Sequence, residues 1–162
     1  MIDTETRALA ERVLNACRAR GRKLATAESC TGGLVAGALT EIAGSSDVVD
    51  RGFVTYSNAA KMAMLGVPEA TLVAHGAVSR QTAEAMAKGA LERAGVDLTI
   101  SITGVAGPGG GSAEKPVGLV HFAAATRERA IEREKRYGDM GRSEIRRLSV
   151  IEALNMLLEL AG

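Results

Sequence analysis

Strand-like and helix-like stretches alternate along this chain. KLATAES, RGFVTYS and VDLTISITG read as three short strands, the last apolar enough to be central. Between them lie helical patterns: GLVAGALTEIAG with Leu34, Leu39 and Ile42 inward, NAAKMAML, and PEATLVA with Pro68 at its first helical position. A longer helix follows Ser79 as cap, where Ala83, Met86, Ala87, Ala90, Leu91 and Ala94 keep i, i+3, i+4 spacing as far as Gly95. Ahead of the first strand, Leu9, Val13 and Cys17 recur every four residues between the cap Asp3 and the terminator Gly21. Such alternation predicts a layered α/β sheet with some parallel pairing. VGLVHFAAAT and AIEREKRYG read as strands joined by a tight turn near Arg127 to Arg129, which makes the sheet mixed. A last helix from about Ser143 turns Ile145, Leu148, Ile151, Leu154 and Leu158 inward. The expected fold is a single-domain, three-layer α/β/α sandwich around a mixed, mostly parallel sheet, with one domain over residues 1–162.

A chain of 162 residues buries roughly 70% of its unfolded surface, enough for a core. Only 2% of residues are aromatic, so Ala, Val, Leu, Ile and Met must fill it. The same scarcity, with a net charge of +1, argues against nucleic acid as a partner. No stretch reaches the ~20 apolar residues of a membrane span, so no membrane partner is expected. The polar start MIDTETRALAER is no secretory signal, and Cys17 and Cys30 form no disulfide framework, so a cytoplasmic location is expected. His75 and His121 lack spaced ligand partners, so neither a metal nor a cofactor is expected. Val150 and Leu157, beyond the inner stripe of the last helix, read as an exposed apolar side and point to a homo-oligomer.

Chemistry gathers at ATAESCTGG, Ala25 to Gly33, where a strand ends in two candidate nucleophiles, Ser29 and Cys30. Sites in α/β sheets form where strand carboxyl ends meet the following loops. N–H groups at the helix start near Gly32 can hold a phosphate or an oxyanion. Ser29 and Thr31 can equally be ordinary helix caps beside the turn glycines Gly32 and Gly33. A serine needs a base, and Lys61 follows the end of the second strand, early in a short helix behind Ser57 or Asn58. A lysine there meets the helix dipole unfavourably, and burial lowers its pKa further, toward what a base at neutral pH requires. Tyr56, at the end of the same strand, can hydrogen-bond the serine or relay its proton. The plain alternative is a solvated lysine beside a core tyrosine. The loop TGVAGPGGGSAEKPVG can wrap an anion with its N–H groups or be a mere connection. Arg142, Arg146 and Arg147 at the last helix start can grip phosphate or simply face solvent.

Four stretches carry a specific resemblance: TAESCTGGLVAGALTEIAGSSDVVDRGFVTYSNAAKMAMLGV, HGAVS, SITGVAGPGGGSAEKPVGLVHFA and GRSEIRRLSVIEAL, in that order from about residue 25 onward. Together they resemble the CinA carboxy-terminal domain family, the nicotinamide-nucleotide amidases also called PncC. The resemblance implies an amidohydrolase that converts nicotinamide mononucleotide to nicotinate mononucleotide and ammonia through a serine acyl-enzyme. It implies Ser29 as nucleophile, Tyr56 and Lys61 as its activators, and Cys30 as a bystander. Thr31, Gly32, Gly33, Thr103, Gly104, Gly107 and Arg142 are the expected substrate contacts, with Gly107's loop and Arg142 at the phosphate. Many members carry a further amino-terminal domain with pyrophosphatase-type activity, which is expected to be absent from this chain.

Two other classes compete. A non-catalytic nucleotide-binding module would use the same rim to hold phosphate, with Lys61 permanently charged, and would bind without turnover. A DNA-associated adaptor would need a basic stripe that this chain lacks.

Overall fold

The computed structural model describes residues 2–162; Met1, part of the polar start read above, lies outside them. The first helix, α1 (Thr4–Ala19), is capped as expected, with Asp3 Oδ1 accepting from Thr6 N at 2.7 Å. It leads into β1 (Leu24–Glu28) and α2 (Leu34–Thr40). After a 3-10 turn at Ser45–Asp47 come β2 (Val49–Val54), α3 (Asn58–Leu65), α4 (Glu69–His75) and α5 (Arg80–Ala94). Strands β3 (Leu98–Gly104), β4 (Leu119–Ala125) and β5 (Ala130–Arg136) precede α6 (Arg142–Ala161).

The five strands form one sheet in the order β2-β1-β3-β4-β5. β1 pairs in parallel with β2 and β3, while β4 is antiparallel to both β3 and β5. Four strands therefore run one way and β4 alone runs back, which is the expected mixed, mostly parallel sheet. Helices α1, α2 and α6 cover one face and α3, α4 and α5 the other. This is the three-layer sandwich, with β3 central as expected. Among the described residues no helix is long and apolar enough to cross a membrane.

Side-chain alternation on the central strand separates two kinds of packing. Leu98, Ile100 and Ile102 enter the large core beneath α1, α2 and α6. Thr99, Ser101 and Thr103 face the other way and donate to the carbonyls of Ala87, Ala83 and Ala77. The small residues of α5 let it lie this close to the sheet. Its outer partner α3 comes closer still: a Cβ on Gly89 would stand 1.9 Å from Leu65 O, so only glycine admits α3 there.

Several boundaries differ from expectation. α2 starts at Leu34, which is 42% exposed rather than inward; Leu39 is buried as expected, with Val35 and Ala38 beside it. β2 runs earlier than RGFVTYS, because Ser57 is needed as the cap of α3, where its Oγ accepts from Ala60 N at 3.0 Å. Pro68 is the cap of α4 rather than its first helical residue. On α6 the buried set is Ile145, Ser149, Val150, Ala153, Leu154, Met156, Leu157, Leu160 and Ala161. Squeezed between the sheet and α1, this helix buries two sides rather than one stripe. Val150 and Leu157, expected to form an exposed apolar side, are inside the monomer core, so they present no surface to a second copy.

Candidate active site

β1, β2 and β3 all run toward the same rim, and the loops leaving them line a cleft of about 280 Å3. Ser29 follows β1 directly. Its N–H donates to Ile102 O and its carbonyl accepts from Gly32 N, each at 2.9 Å, so the nucleophile candidate is held on both sides. Ser29 Oγ meets Lys61 Nζ at 3.0 Å. Lys61 Nζ also donates to Thr55 O at 2.6 Å, and its side chain is only 1% exposed. Burial of that ammonium pushes its pKa below the ordinary 10.5. Among the described residues no carboxylate pairs with it, and burial outweighs the opposing influence of the neighbouring Cys30 thiol.

Tyr56 lines the same cleft but is 60% exposed and makes no hydrogen bond to Ser29 or Lys61. Its hydroxyl accepts from Arg142 Nη2 at 2.8 Å, and Arg142 Nη1 donates to Gly107 O at 2.8 Å. Arg142 thus ties the Tyr56 segment to the glycine loop across the mouth. Thr103, Gly104 and Gly107 also line the cleft, although the Thr103 hydroxyl is committed to Ala77 O at 2.8 Å.

Thr31, Gly32 and Gly33 do not line it. The expectation that the start of α2 offers an anion site fails because that site is filled from within. Glu28, the last residue of β1, is fully buried and points into the helix start. Its Oε1 accepts from Val35 N at 2.9 Å and Thr31 Oγ1 at 2.7 Å; its Oε2 accepts from Ala36 N at 3.0 Å and Thr26 Oγ1 at 3.3 Å. A side chain from the preceding strand therefore serves as the helix cap. Gly33, at φ 97°, makes the left-handed turn that lets it do so. The sequence reading missed Glu28, although its parity with Leu24 and Thr26 in a buried strand was a signal that it needed partners. It also missed Ala77 and Val78 from the HGAVS stretch, which line the cleft.

Cys30 has a 5% exposed side chain, and burial pushes its thiol up to about 11. A thiol so placed is almost wholly protonated at neutral pH and is no nucleophile. Iodoacetamide at pH 7.5 is expected to leave Cys30 unmodified in the folded chain and to label it after unfolding, read by peptide mass spectrometry. Labelling of the folded chain at Cys30 would put the thiol back in contention.

A family model, the CinA C-terminal domain, matches residues 6–161. This chain belongs to that family. It is 53% identical over 159 residues to the Nicotinamide-nucleotide amidohydrolase PncC of Escherichia coli K12, covering 97% of this chain and 95% of that protein. It is 54% identical over 150 residues to a CinA-like protein of Synechococcus sp. RCC307, but spans only 36% of that protein's length. Among solved structures, the competence/damage inducible protein CihA of Agrobacterium tumefaciens matches with a TM-score of 0.98 and 56% identity, over 100% of this chain and 99% of that one. Family members of both lengths therefore share this domain.

Proposed function

We propose that the chain is an amidohydrolase that deamidates nicotinamide mononucleotide to nicotinate mononucleotide and ammonia through an acyl-enzyme on Ser29. The observation that carries the reading is the 3.0 Å contact of Ser29 Oγ with a buried, carboxylate-free Lys61. Neutral Lys61 donates one N–H to Thr55 O, which turns its lone pair toward the serine proton. As Oγ attacks the carboxamide carbon, that proton passes to Nζ, and the same ammonium then gives it to the amide nitrogen, which leaves as ammonia as the C–N bond breaks. Water, deprotonated by the regenerated amine, hydrolyses the nicotinoyl ester. The route runs through Lys61 directly, because the Tyr56 hydroxyl is engaged by Arg142 rather than by the serine.

Among the described residues, the N–H of Ala106 donates to no protein acceptor and that of Cys30 meets only its own thiol, and both residues line the cleft. They are our choice for the oxyanion donors, each worth ~3–4 kcal/mol of barrier. The cleft lining contains Arg142 and no carboxylate, a charge balance that suits a phosphate ester. Its volume sits near the lower end of small-molecule sites, about 300–1,000 Å3. Under this reading, Arg142 and the glycine loop take the phosphate, Thr103 and Gly104 form the floor, and Thr31, Gly32 and Gly33 act only through the turn.

The test is ammonia release by the purified chain from nicotinamide mononucleotide, with nicotinamide riboside as the phosphate-free comparison. Turnover is expected with the mononucleotide and much less with the riboside. Binding of the mononucleotide without any ammonia would favour the non-catalytic nucleotide module instead.

A further inference from the structure

Arg142 and Arg146 lie one turn apart on the same face of α6. Arg142 serves the mouth of the cleft, whereas Arg146 goes behind it. Arg146 Nε donates to Cys30 O at 3.1 Å and its Nη2 to Thr31 O at 3.3 Å. Two consecutive peptide groups immediately after the nucleophile are thus held by one guanidinium. We propose that Arg146 is a positioning residue for the nucleophile, fixing the Ser29–Gly32 turn from the side opposite the cleft. This rests on Ser29 being the nucleophile.

Peptide planarity carries the argument. With the Thr31 carbonyl drawn to Arg146, the Gly32 N–H of the same plane must point the other way, and it donates to Ser29 O at 2.9 Å. With the Cys30 carbonyl drawn likewise, the Thr31 N–H points away from Arg146. One side chain therefore sets the turn that fixes the Ser29 carbonyl, and with it the direction of the Ser29 Oγ toward Lys61. Arg146 is free for this role because, among the described residues, it forms no ion pair, whereas its neighbour Arg147 is paired with Glu144, Asp3 and Glu5. A fork of parallel N–H groups suits two adjacent carbonyls in a way a lysine ammonium does not.

The test follows the reactivity of Ser29 with a small fluorophosphonate, independently of the natural substrate. Oγ forms the bond to phosphorus, fluoride leaves, and the serine proton goes to Lys61. Arg146→Met is expected to slow labelling of Ser29 by about 10²-fold, the typical loss for an ångström-scale misplacement. Arg146→Lys should recover only part of it. Arg146 also lines a separate cavity of about 430 Å3 between the starts of α1 and α6, through which millimolar guanidinium can enter the vacated place and restore the rate. In amide turnover, kcat should fall while KM holds. Arg146→Gln, which keeps one donor and drops the charge, serves the same comparison if the methionine chain does not fold. Labelling of folded Arg146→Met at the native rate, or a loss that guanidinium never restores, overturns the proposal. A native chain that is never labelled at Ser29 overturns the nucleophile reading and this proposal with it.

Discussion

Ser29→Ala and Lys61→Met should each abolish ammonia release, by about four to six orders of magnitude in kcat, and the double variant should be no worse than either single one. A nucleophile and its base act as one unit, so removing either removes the whole route. Independent losses that multiply in the double variant would show that Lys61 does something other than activate Ser29. Lys61→Arg should be as inactive as Lys61→Met, since a guanidinium cannot shed a proton in this range. The pH profile carries the same logic. Only neutral Lys61 can take the serine proton, so kcat/KM rises with pH as Lys61 deprotonates. The midpoint must lie below the ordinary 10.5, because burial lowers this pKa. A midpoint at or above that value would mean that Lys61 keeps its charge and works as an anion partner.

Stability provides a second reading of the same group. At pH values between the depressed folded pKa and the ordinary value of 10.5, the unfolded chain holds a proton on Lys61 that the folded chain lacks. Folding stability therefore gains with rising pH across that window, and the gain is complete above it. Lys61→Met has no such group, so the native chain's Tm relative to that variant should climb as pH rises toward 10.5. A difference that is flat with pH would mean that the lysine is charged in both states.

What could be read in the sequence divides along a physical line. Ser29, Lys61 and Arg142 were legible because each is a chemically distinctive side chain at a predictable place: a strand end, the first turn of a capped helix, a helix start. The bond from Lys61 to Thr55 O was not, because a backbone carbonyl has no residue-type signature. Arg146 was visible but ambiguous. Three arginines in six residues look alike until tertiary packing sends Arg142 to the glycine loop, Arg146 to the turn after Ser29 and Arg147 to surface carboxylates. Periodicity also misplaced the inner face of α6, since a single stripe cannot describe a helix buried against both a sheet and another helix.

Glu28 should be the costliest single change outside the chemistry. Glu28→Ala leaves the N–H groups of Val35 and Ala36 and the hydroxyls of Thr26 and Thr31 buried without their acceptor. A buried donor left without its acceptor typically costs about 1–3 kcal/mol, and four donors depend on this one carboxylate. Glu28→Gln offers no escape by flipping its amide. Each carboxylate oxygen accepts a backbone N–H, from Val35 on one side and Ala36 on the other, so an NH2 group meets a fixed donor in either orientation. Thermal melts should therefore show both variants strongly destabilised, with glutamine close to alanine rather than close to native. Because Thr31 belongs to the turn that carries Ser29, labelling of Ser29 should slow in whatever fraction stays folded. A glutamine variant with native Tm would mean that one of those two N–H groups finds another acceptor, and that the α2 cap is not what holds the turn that carries Ser29.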